Sequence, residues 1–452
     1  MTKLLKSLWA RFLFQDRGIL PAKRFLFVYL TISLLLVISS VFGLSWTFVI
    51  SFNLLTVCIS LLDLLFSPSK RELSFKRTIP KELERGITYP IDLEVSNAST
   101  YPLFYRVVDG LPQSFDRPFP LKGEIPKDSV AVITYHTTAF VRGNYEVHKL
   151  YFRYGSRFGF WEKQTTVELT ESVKVIPDLT ETKQYLENAQ SFLKYEGLNI
   201  RRQKSGVGDF AKIRSYVVGD DPRKINWRQT AKLHEVMTND YEPEHGKYIT
   251  ILIDCGRMMG AELKKGNRLE RALEAALTVS AAALKKGDYV SLLAFSKEIH
   301  VYVPPAKGLP HLQTILQAIY HLEVNASESN YGAVLRYLES VQKKRSLLLL
   351  FSDVSTFLHE ESALVYIQRL RQRHMFFMIG VEDETLVNRV KAMPETVQQA
   401  MVKSMAQQQV LIKKREKNKW EKRGLQLIEA REEKLAVTAV SHYIQMINQN
   451  LL

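Results

Sequence analysis

The sequence is poor in cysteine. Cys58 and Cys255 are the only two in 452 residues, one in an apolar run and the other far from it. Two isolated thiols exclude a disulfide framework and a thiolate metal site, and they fit a reducing compartment for the soluble part. The usual signatures of phosphate-binding and hydrolytic enzymes are missing as well. No G-x-x-x-x-G-K-[ST], H-E-x-x-H or G-x-S-x-G occurs. Ser205-Gly206-Val207-Gly208 lacks the Lys-Ser/Thr pair that grips phosphate and metal. The histidines are scattered, and His234 and His245 read as surface or packing residues. The expectation is a protein that is not an enzyme and has no catalytic residues.

Charge is absent from one long stretch, Phe25 to Leu62. A single helix of that length would reach roughly 57 Å, nearly twice a hydrocarbon core of about 30 Å. The run must break, and Gly43-Leu44-Ser45-Trp46 is the natural place, with Gly at the turn and Trp at an interface. Two transmembrane helices are expected, near Phe25 to Phe42 and Trp46 to Phe66, closing a first segment of residues 1–66. A cleaved signal peptide fits less well, because no small-x-small site stands out and a second apolar run follows at once. Lys3, Lys6, Arg11, Arg17, Lys23 and Arg24 precede the first span, while Lys70, Arg71, Lys76 and Arg77 follow the second. The loop between the spans carries no charge. The positive-inside rule then places both flanks in the cytoplasm of a cell that holds the chain in its plasma membrane as a multi-pass protein. Met1 to Arg24 itself reads as an amphipathic segment on the membrane surface.

What remains is long and ordinary in composition. The chain is 46% hydrophobic and 24% charged, with a net charge of +15, so more than one folded domain and an anionic partner or surface are expected. Residues 67–178 read as an all-β domain. Ile91, Leu93 and Val95 alternate with Asp92, Glu94 and Ser96, the pattern of a half-buried strand. Further β-rich runs are Phe104 to Val108, Val130 to Thr137, Tyr145 to Tyr154 and Val173 to Ile176, with turns at Asn97-Ala98-Ser99 and Arg142-Gly143-Asn144. Short strands at this spacing suggest a β-sandwich. Residues 179–246 are a linker followed by a turn-rich stretch. From 247 to 452 apolar strands alternate with helices. Tyr248 to Ile253, Tyr289 to Phe295, His300 to Val303, Ser346 to Phe351 and Met375 to Ile379 read as strands. Helices are expected at Leu269 to Leu284, Pro310 to Leu322, Gly332 to Gln342 and Leu358 to Arg373. That alternation means a parallel sheet covered on both faces, an α/β doubly wound domain, whose ligands bind at the carboxyl ends of the strands. Asp254 and Asp353 sit at two such ends. Glu384 to Leu452 is a mostly helical extension, with a possible edge strand at Leu425 to Ile428, a closing helix at Ala436 to Ile447, and a basic run at Lys413-Lys414-Arg415 that is most simply a solvated helix face.

The stretch Ser205 to Lys232 stands apart. Asp221-Pro222 is a helix start, with Asp221 as N-cap and Pro222 at the first helical position, opening a short helix over Pro222 to Lys232. Gly219 permits the sharp entry. Ala211 to Val218 is either a helical turn or a strand. Arg214, Tyr216, Gly219, Asp220, Arg223 and Trp227 are the candidate interaction residues. They form either a structural bracket, with Trp227 buried and Arg223 paired to Asp220 or Asp209, or a docking surface anchored by aromatic and Arg side chains. The pattern running from Gly206 or Gly208 and Phe210 through Arg214, Tyr216, Gly219, Asp220, Asp221, Arg223, Ile225 and Trp227 to Thr230-Ala231-Lys232 resembles the signature of the bacterial domain-of-unknown-function 58 family. The resemblance implies a membrane hairpin, an immunoglobulin-like β-domain and a von Willebrand factor A-like domain, and work beside a MoxR-type AAA+ ATPase and other membrane or envelope proteins.

An A-like domain implies Mg²⁺ held by a D-x-S-x-S motif together with a Thr and an Asp from other loops. Here the motif reads Asp254-Cys255-Gly256-Arg257-Met258. Glycine supplies no oxygen and a thioether is a poor ligand for a hard cation. Asp254 and Asp353 are left as the candidate ligands, and Mg²⁺ is expected to bind weakly or not at all. The leading functional reading is a membrane-anchored, cytosol-facing, non-enzymatic adaptor. The alternative is a membrane-tethered nucleic-acid or anionic-lipid binder that uses the basic tracts at the N-terminus and near Lys413.

Overall fold

A computed structural model describes residues 18–65, 68–155, 158–187, 209–242 and 246–448. Most of the expected N-terminal surface segment, Phe66, much of the linker, Gly206 and Gly208 of the signature, and His245 lie outside the described residues. The chain forms two compact units, Met1–Ile176 and Pro177–Leu452.

The first unit opens with β1 (Ile19–Pro21), where a surface segment was expected, and continues into two apolar helices, α1 (Lys23–Val41) and α2 (Trp46–Leu65). Both are long and apolar enough to cross a membrane. At 19 and 20 residues each reaches roughly 29–30 Å, the thickness of a hydrocarbon core. Gly43 between them has φ +102°, a conformation that costs glycine little and other residues much. Strands follow: β2 (Leu73–Thr78), β3 (Glu82–Glu84), β4 (Thr88–Asn97), β5 (Leu103–Asp109), β6 (Leu121–Ile125), β7 (Ser129–Thr138), β8 (Gly143–Gly155) and β9 (Trp161–Ile176). One sheet runs β2-β4-β7. The other runs β1-β9-β8-β5-β6, with β3 also on β9. The alternation read in β4 is real, since Ile91, Leu93 and Val95 are all buried in the core that these strands share with Leu103, Val107, Leu150 and Phe152. β9 is much longer than Val173 to Ile176, because Lys163, Gln164, Glu168 and Glu171 along it mask the apolar alternation.

Two polar features brace this unit. The Asp63 carboxylate on α2 accepts the backbone N–H groups of Phe158 and Phe160 at 3.0 and 3.2 Å. Trp161 Nε1 donates to the Ser60 carbonyl at 2.8 Å, and Phe25 of α1 packs 5.6 and 5.9 Å from the rings of Phe160 and Trp161. The bases of the apolar helices are thus fastened to the β8–β9 hairpin. Deeper in, Arg77 and Asp109 form an ion pair with no side-chain exposure. Arg77 also donates to the carbonyls of Val147 and Leu169, and Asp109 accepts from Tyr135 Oη at 2.7 Å and Gly110 N at 2.9 Å. Burial, with the Asp109 charge beside it, pushes the Tyr135 hydroxyl far above its ordinary pKa, so it remains a donor.

In the second unit residues 180–187 are helical, and further on a two-stranded hairpin, β10 (Asp209–Ser215) and β11 (Met237–Glu242), encloses helix α3 (Trp227–Leu233). A six-stranded sheet follows, built from β12 (Tyr248–Asp254), β15 (Tyr289–Phe295), β16 (Ile299–Ala306), β17 (Ser346–Phe351), β18 (Met375–Val381) and β19 (Gln426–Ala430), with the small hairpin β13 (Glu262–Leu263) and β14 (Gly266–Asn267) between the first two. The order is β16-β15-β12-β17-β18-β19. All neighbours are parallel except β15 and β16. Every residue of β17 is buried, as a strand covered on both faces must be. The antiparallel strand β16 lies at the edge, which is why it runs on through Pro304 and Pro305. The helices are α4 (Arg268–Lys286), α5 (Pro310–Ile319), α6 (Tyr331–Val341), α7 (Val354–Leu358), α8 (Glu361–Leu370), α9 (Glu384–Lys391), α10 (Val397–Lys422) and α11 (Leu435–Asn448). Local chemistry ends them where expected. Asn267 caps α4 by accepting from Glu270 N at 2.9 Å, and Gly287 closes it at φ +89°, the glycine stop of a helix. α8 lies within the helix expected over Leu358 to Arg373, and α7 precedes it, meeting that range only at Leu358.

Candidate functional site

The second unit gathers its distinctive side chains in two places, the module of residues 209–242 and the carboxyl end of the parallel sheet.

In the module, Ala211 to Val218 resolves as strand β10 and a turn. Arg214 reaches across that turn and clasps Asp220 with two hydrogen bonds of 2.8 Å, and its Nε lies 3.7 Å from Asp240. The hydrogen bonds to Asp220 hold the guanidinium above its usual pKa. Asp220 also accepts from Val217 N at 3.0 Å, and Tyr216 Oη donates to its backbone carbonyl at 3.2 Å. Gly219 takes φ +108° at the tip. Asp221 caps as its sequence position predicts, accepting from Arg223 N at 3.0 Å with Pro222 at the first helical position. The helix it starts is only the 3₁₀ turn Pro222–Lys224. Asn226 then caps α3 anew, accepting from Gln229 N at 3.1 Å, so one expected helix becomes two.

One expectation fails here. Trp227 is not buried; it is 70% exposed. Arg223 is exposed, and Asp220 belongs to Arg214. The Asp209 side chain lies outside those described. Val217, Val218, Leu233 and Val236 are exposed with Trp227. Arg214, Tyr216, Gly219 and Asp220 thus form one hydrogen-bonded turn, while Arg223 and Trp227 are exposed.

At the sheet, Asp254 ends β12 and is almost fully buried. Its carboxylate receives four donors. Oδ1 accepts from Gly256 N at 2.8 Å and from the Ser329 hydroxyl; Oδ2 accepts from Tyr331 Oη at 2.9 Å and Ser352 Oγ at 2.5 Å. Tyr331 Oη also meets Ser352 Oγ at 2.8 Å, and burial, aided by the Asp254 charge, raises its pKa well above the ordinary value. Asp353, one residue beyond Ser352, pairs with Arg268 of α4 and accepts from Thr356 N at 2.9 Å and Thr356 Oγ1 at 2.7 Å. A Cβ at Gly256 would come within 2.0 Å of Ser329 Oγ. Ser329 thus fills the space a side chain at position 256 would use. Asp383, after β18, is partly buried, yet hydrogen bonds from Thr385 and Leu386 and the charge of Arg268 hold its carboxyl below the usual range.

This donor set does not fit Mg²⁺. A hard cation needs several unengaged oxygens, whereas one carboxylate here is saturated by protein donors and the other is neutralised by a guanidinium. Among the described residues no three His, Cys, Asp or Glu side chains gather as a metal site. Sequence reasoning found Asp254 and Asp353 but missed Ser329, Tyr331, Arg268 and Thr356. Asn330, which caps α6 by accepting from Ala333 N at 3.0 Å, was a local hint that a loop ends beside Ser329 and Tyr331. Arg268 left no signal.

Both places lie within a segment that other proteins share. Residues 212–423 match the family described as Protein of unknown function DUF58. The match begins in β10, includes the Arg214–Asp220 clasp and both aspartates, and ends just after α10. The uncharacterized protein YeaD of Bacillus subtilis (strain 168) is 23% identical over 272 residues, which cover 56% of this chain and 63% of that protein. The chain thus spans less than two thirds of that relative. Among solved structures, the conserved hypothetical protein BatB from Bacteroides thetaiotaomicron is 12% identical, covering 45% of this chain and all of that one, with a TM-score of 0.31. Proximal thread matrix protein 1 from the mussel byssus is 10% identical over 44% of this chain and 45% of its own, with a TM-score of 0.25.

Proposed function

We propose that the protein is a membrane-anchored, non-enzymatic adaptor that presents its soluble parts to the cytosol. The observation that carries this reading is the surface of the 209–242 module, where Val217, Val218 and Trp227 are exposed and the turn bearing the two valines is held by the Arg214–Asp220 clasp. An exposed Trp and exposed apolar side chains in one small module have the composition of an interface anchor. Asp254 is taken up by Gly256, Ser329, Tyr331 and Ser352, and Asp353 by Arg268 and Thr356, which supports a binding role without a metal. Two further features support the domain readings. The sheet order β16-β15-β12-β17-β18-β19 with a single antiparallel edge favours an A-like domain, and two sheets around one core favour an immunoglobulin-like one.

The anchor is the pair α1 and α2, multi-pass and with both flanks cytoplasmic by the charge rule. The family resemblance points to a MoxR-type AAA+ ATPase as partner, in the assembly of envelope or membrane complexes. The test is capture from native membranes with the full chain as bait, in the presence of ATP analogue or ADP. An ATPase retained in one nucleotide state, and lost with Trp227→Ala or Val218→Asp, is the expected result. Capture that ignores nucleotide and both substitutions overturns the reading.

The alternative, a tethered nucleic-acid or anionic-lipid binder, has one observation in its favour. Lys414, Arg415 and Lys422 stand exposed on α10. The neighbouring Lys413, Lys417 and Lys419 are already paired with Glu429, Glu421 and Glu416. Phosphate contacts weaken steeply with salt, so nucleic acid released between low and moderate salt would favour this second reading.

A further inference from the structure

The first unit contains a cleft of about 600 Å³ at the base of α1, between the start of that helix and the β5, β6 and β8 strands. Among the described residues five cations line it: Lys23 and Arg24 from the first turn of α1, Arg106 from β5, Lys122 from β6 and Arg153 from β8. The carboxylates among the described residues of its wall are Glu124 and Glu162. Glu162 lies 3.4 Å from Arg106 and 3.6 Å from Arg153, and Gln164 accepts from Arg153 at 2.8 Å. These contacts spread the two guanidinium groups and leave the positive charge in excess. Lys23, Arg24 and Lys122 have no carboxylate partner among the described residues. A Cβ on Gly123 would come within 2.5 Å of Tyr105 Oη, so the glycine lets the Tyr105 ring lie against β6 in the wall.

The position of this cleft relative to the apolar helices gives it meaning. It opens where α1 begins, beside Ala22, whose N–H is bonded to the Phe160 carbonyl at 2.8 Å. The β8–β9 hairpin carries Phe158, Phe160 and Trp161 at the same end, and Phe104 on the cleft wall is 61% exposed. Aromatic rings beside a basic cleft, at the end of a helix long enough to span, match the headgroup layer of a bilayer. Apolar rims there meet acyl chains while Lys and Arg meet phosphate.

We propose that this cleft binds the phosphate of an anionic lipid headgroup, with Lys23, Arg24 and Lys122 as its principal cations. The proposal rests on the reading of α1 and α2 as membrane spans. Occupancy by a lipid would fasten the β-sheets of this unit to the bilayer at a second point besides the helices, and would orient them.

The test uses the purified full chain. Flotation with phosphatidylcholine vesicles, with and without phosphatidylglycerol, first reads membrane insertion. Calorimetric titration of the detergent-held chain with dihexanoyl-phosphatidylglycerol, dihexanoyl-phosphatidylcholine and inorganic phosphate then reads the cleft. Phosphatidylglycerol is expected to bind at least tenfold more tightly than either of the others, and Lys23→Gln combined with Lys122→Gln is expected to lose that margin while floating normally. Both lysines are exposed, so the double variant keeps its fold. Equal binding of the two lipids, or an unchanged margin in the double variant, overturns the proposal and leaves the membrane reading standing. Inorganic phosphate binding as tightly as the lipid overturns it in favour of a free-phosphate site. Failure to float with any vesicle removes the membrane reading, and the headgroup proposal with it.

Discussion

The two units each contain an Arg–Asp clasp, and the clasps have opposite surroundings. Arg77 and Asp109 have no exposed side-chain surface, and every strong donor and acceptor around them is used. Arg214 and Asp220 make the same two-pronged contact, but their side chains are 36% and 23% exposed. The chemistry is shared and the consequences differ. A buried pair that loses one member leaves an uncompensated charge in a low-dielectric core. A half-exposed pair is screened, and water takes over the lost bonds. The first clasp belongs to folding. The second sets the shape of a turn whose apolar tips face outward.

The largest expected effect breaks the buried clasp. Asp109→Ala should destabilise the first unit by about 3–5 kcal/mol by leaving Arg77 buried and unpaired. Chemical denaturation would check it, and a loss under about 1 kcal/mol would mean that water reaches the pair. Next comes Asp254→Ala, which strands the hydroxyls of Ser329, Tyr331 and Ser352. A cost of about 1–3 kcal/mol is expected from unsatisfied buried donors, with a melting temperature of the parent that is the same in EDTA and in millimolar Mg²⁺. A clear rise with Mg²⁺ that disappears in the variant would show that the site holds metal after all.

The half-exposed clasp should behave differently. Arg214→Ala is expected to change melting little and to weaken partner capture, because the turn loses its shape. Trp227→Ala should leave stability within about 0.5 kcal/mol, as surface substitutions do, and abolish capture. If Trp227→Ala melts several degrees lower, the ring is buried in solution and the surface reading is wrong.

The smallest effect concerns pH. Burial, with Arg373 adjacent, lowers the pKa of His374, which meets Ser346 Oγ at 2.9 Å through Nδ1. A depressed folded pKa means that the unfolded chain takes up the proton first. Its stabilising contribution is therefore complete above about pH 6.5, the unfolded value, and is lost as pH falls through the folded one. Denaturation at pH 7.5 and 5.5 should show a drop in the parent that is smaller in His374→Gln.

How much of this was legible depends on the range of the interaction involved. The strands Tyr289–Phe295 and Ser346–Phe351 were readable to the residue, because continuous apolar runs between turn residues have few other uses. Asp221-Pro222 was readable as a helix start, since a cap is made within three residues. The extent of that helix was not, because Asn226 re-caps the chain, its Oδ1 accepting from Gln229 N while its Nδ2 donates to Asn239 Oδ1 across the hairpin at 2.9 Å. In α10 the charged run around Lys413 concealed Trp420, which is buried and donates to the Leu358 carbonyl at 3.2 Å.

Taken alone, the sequence determined what is local or periodic: two apolar helices of membrane length, alternating β-strands, buried parallel strands and their capping residues. These depend on hydropathy period and on contacts a few residues apart. Only the tertiary structure decided which side of a residue meets protein and which meets solvent. It exposed Trp227, joined Arg268 to Asp353 across 85 residues, surrounded Asp254 with Ser329, Tyr331 and Ser352, and brought Lys23 beside Lys122 and Arg153 in one cleft. Such neighbours are chosen by how the elements pack, and packing joins positions whose distance along the chain carries no record of it.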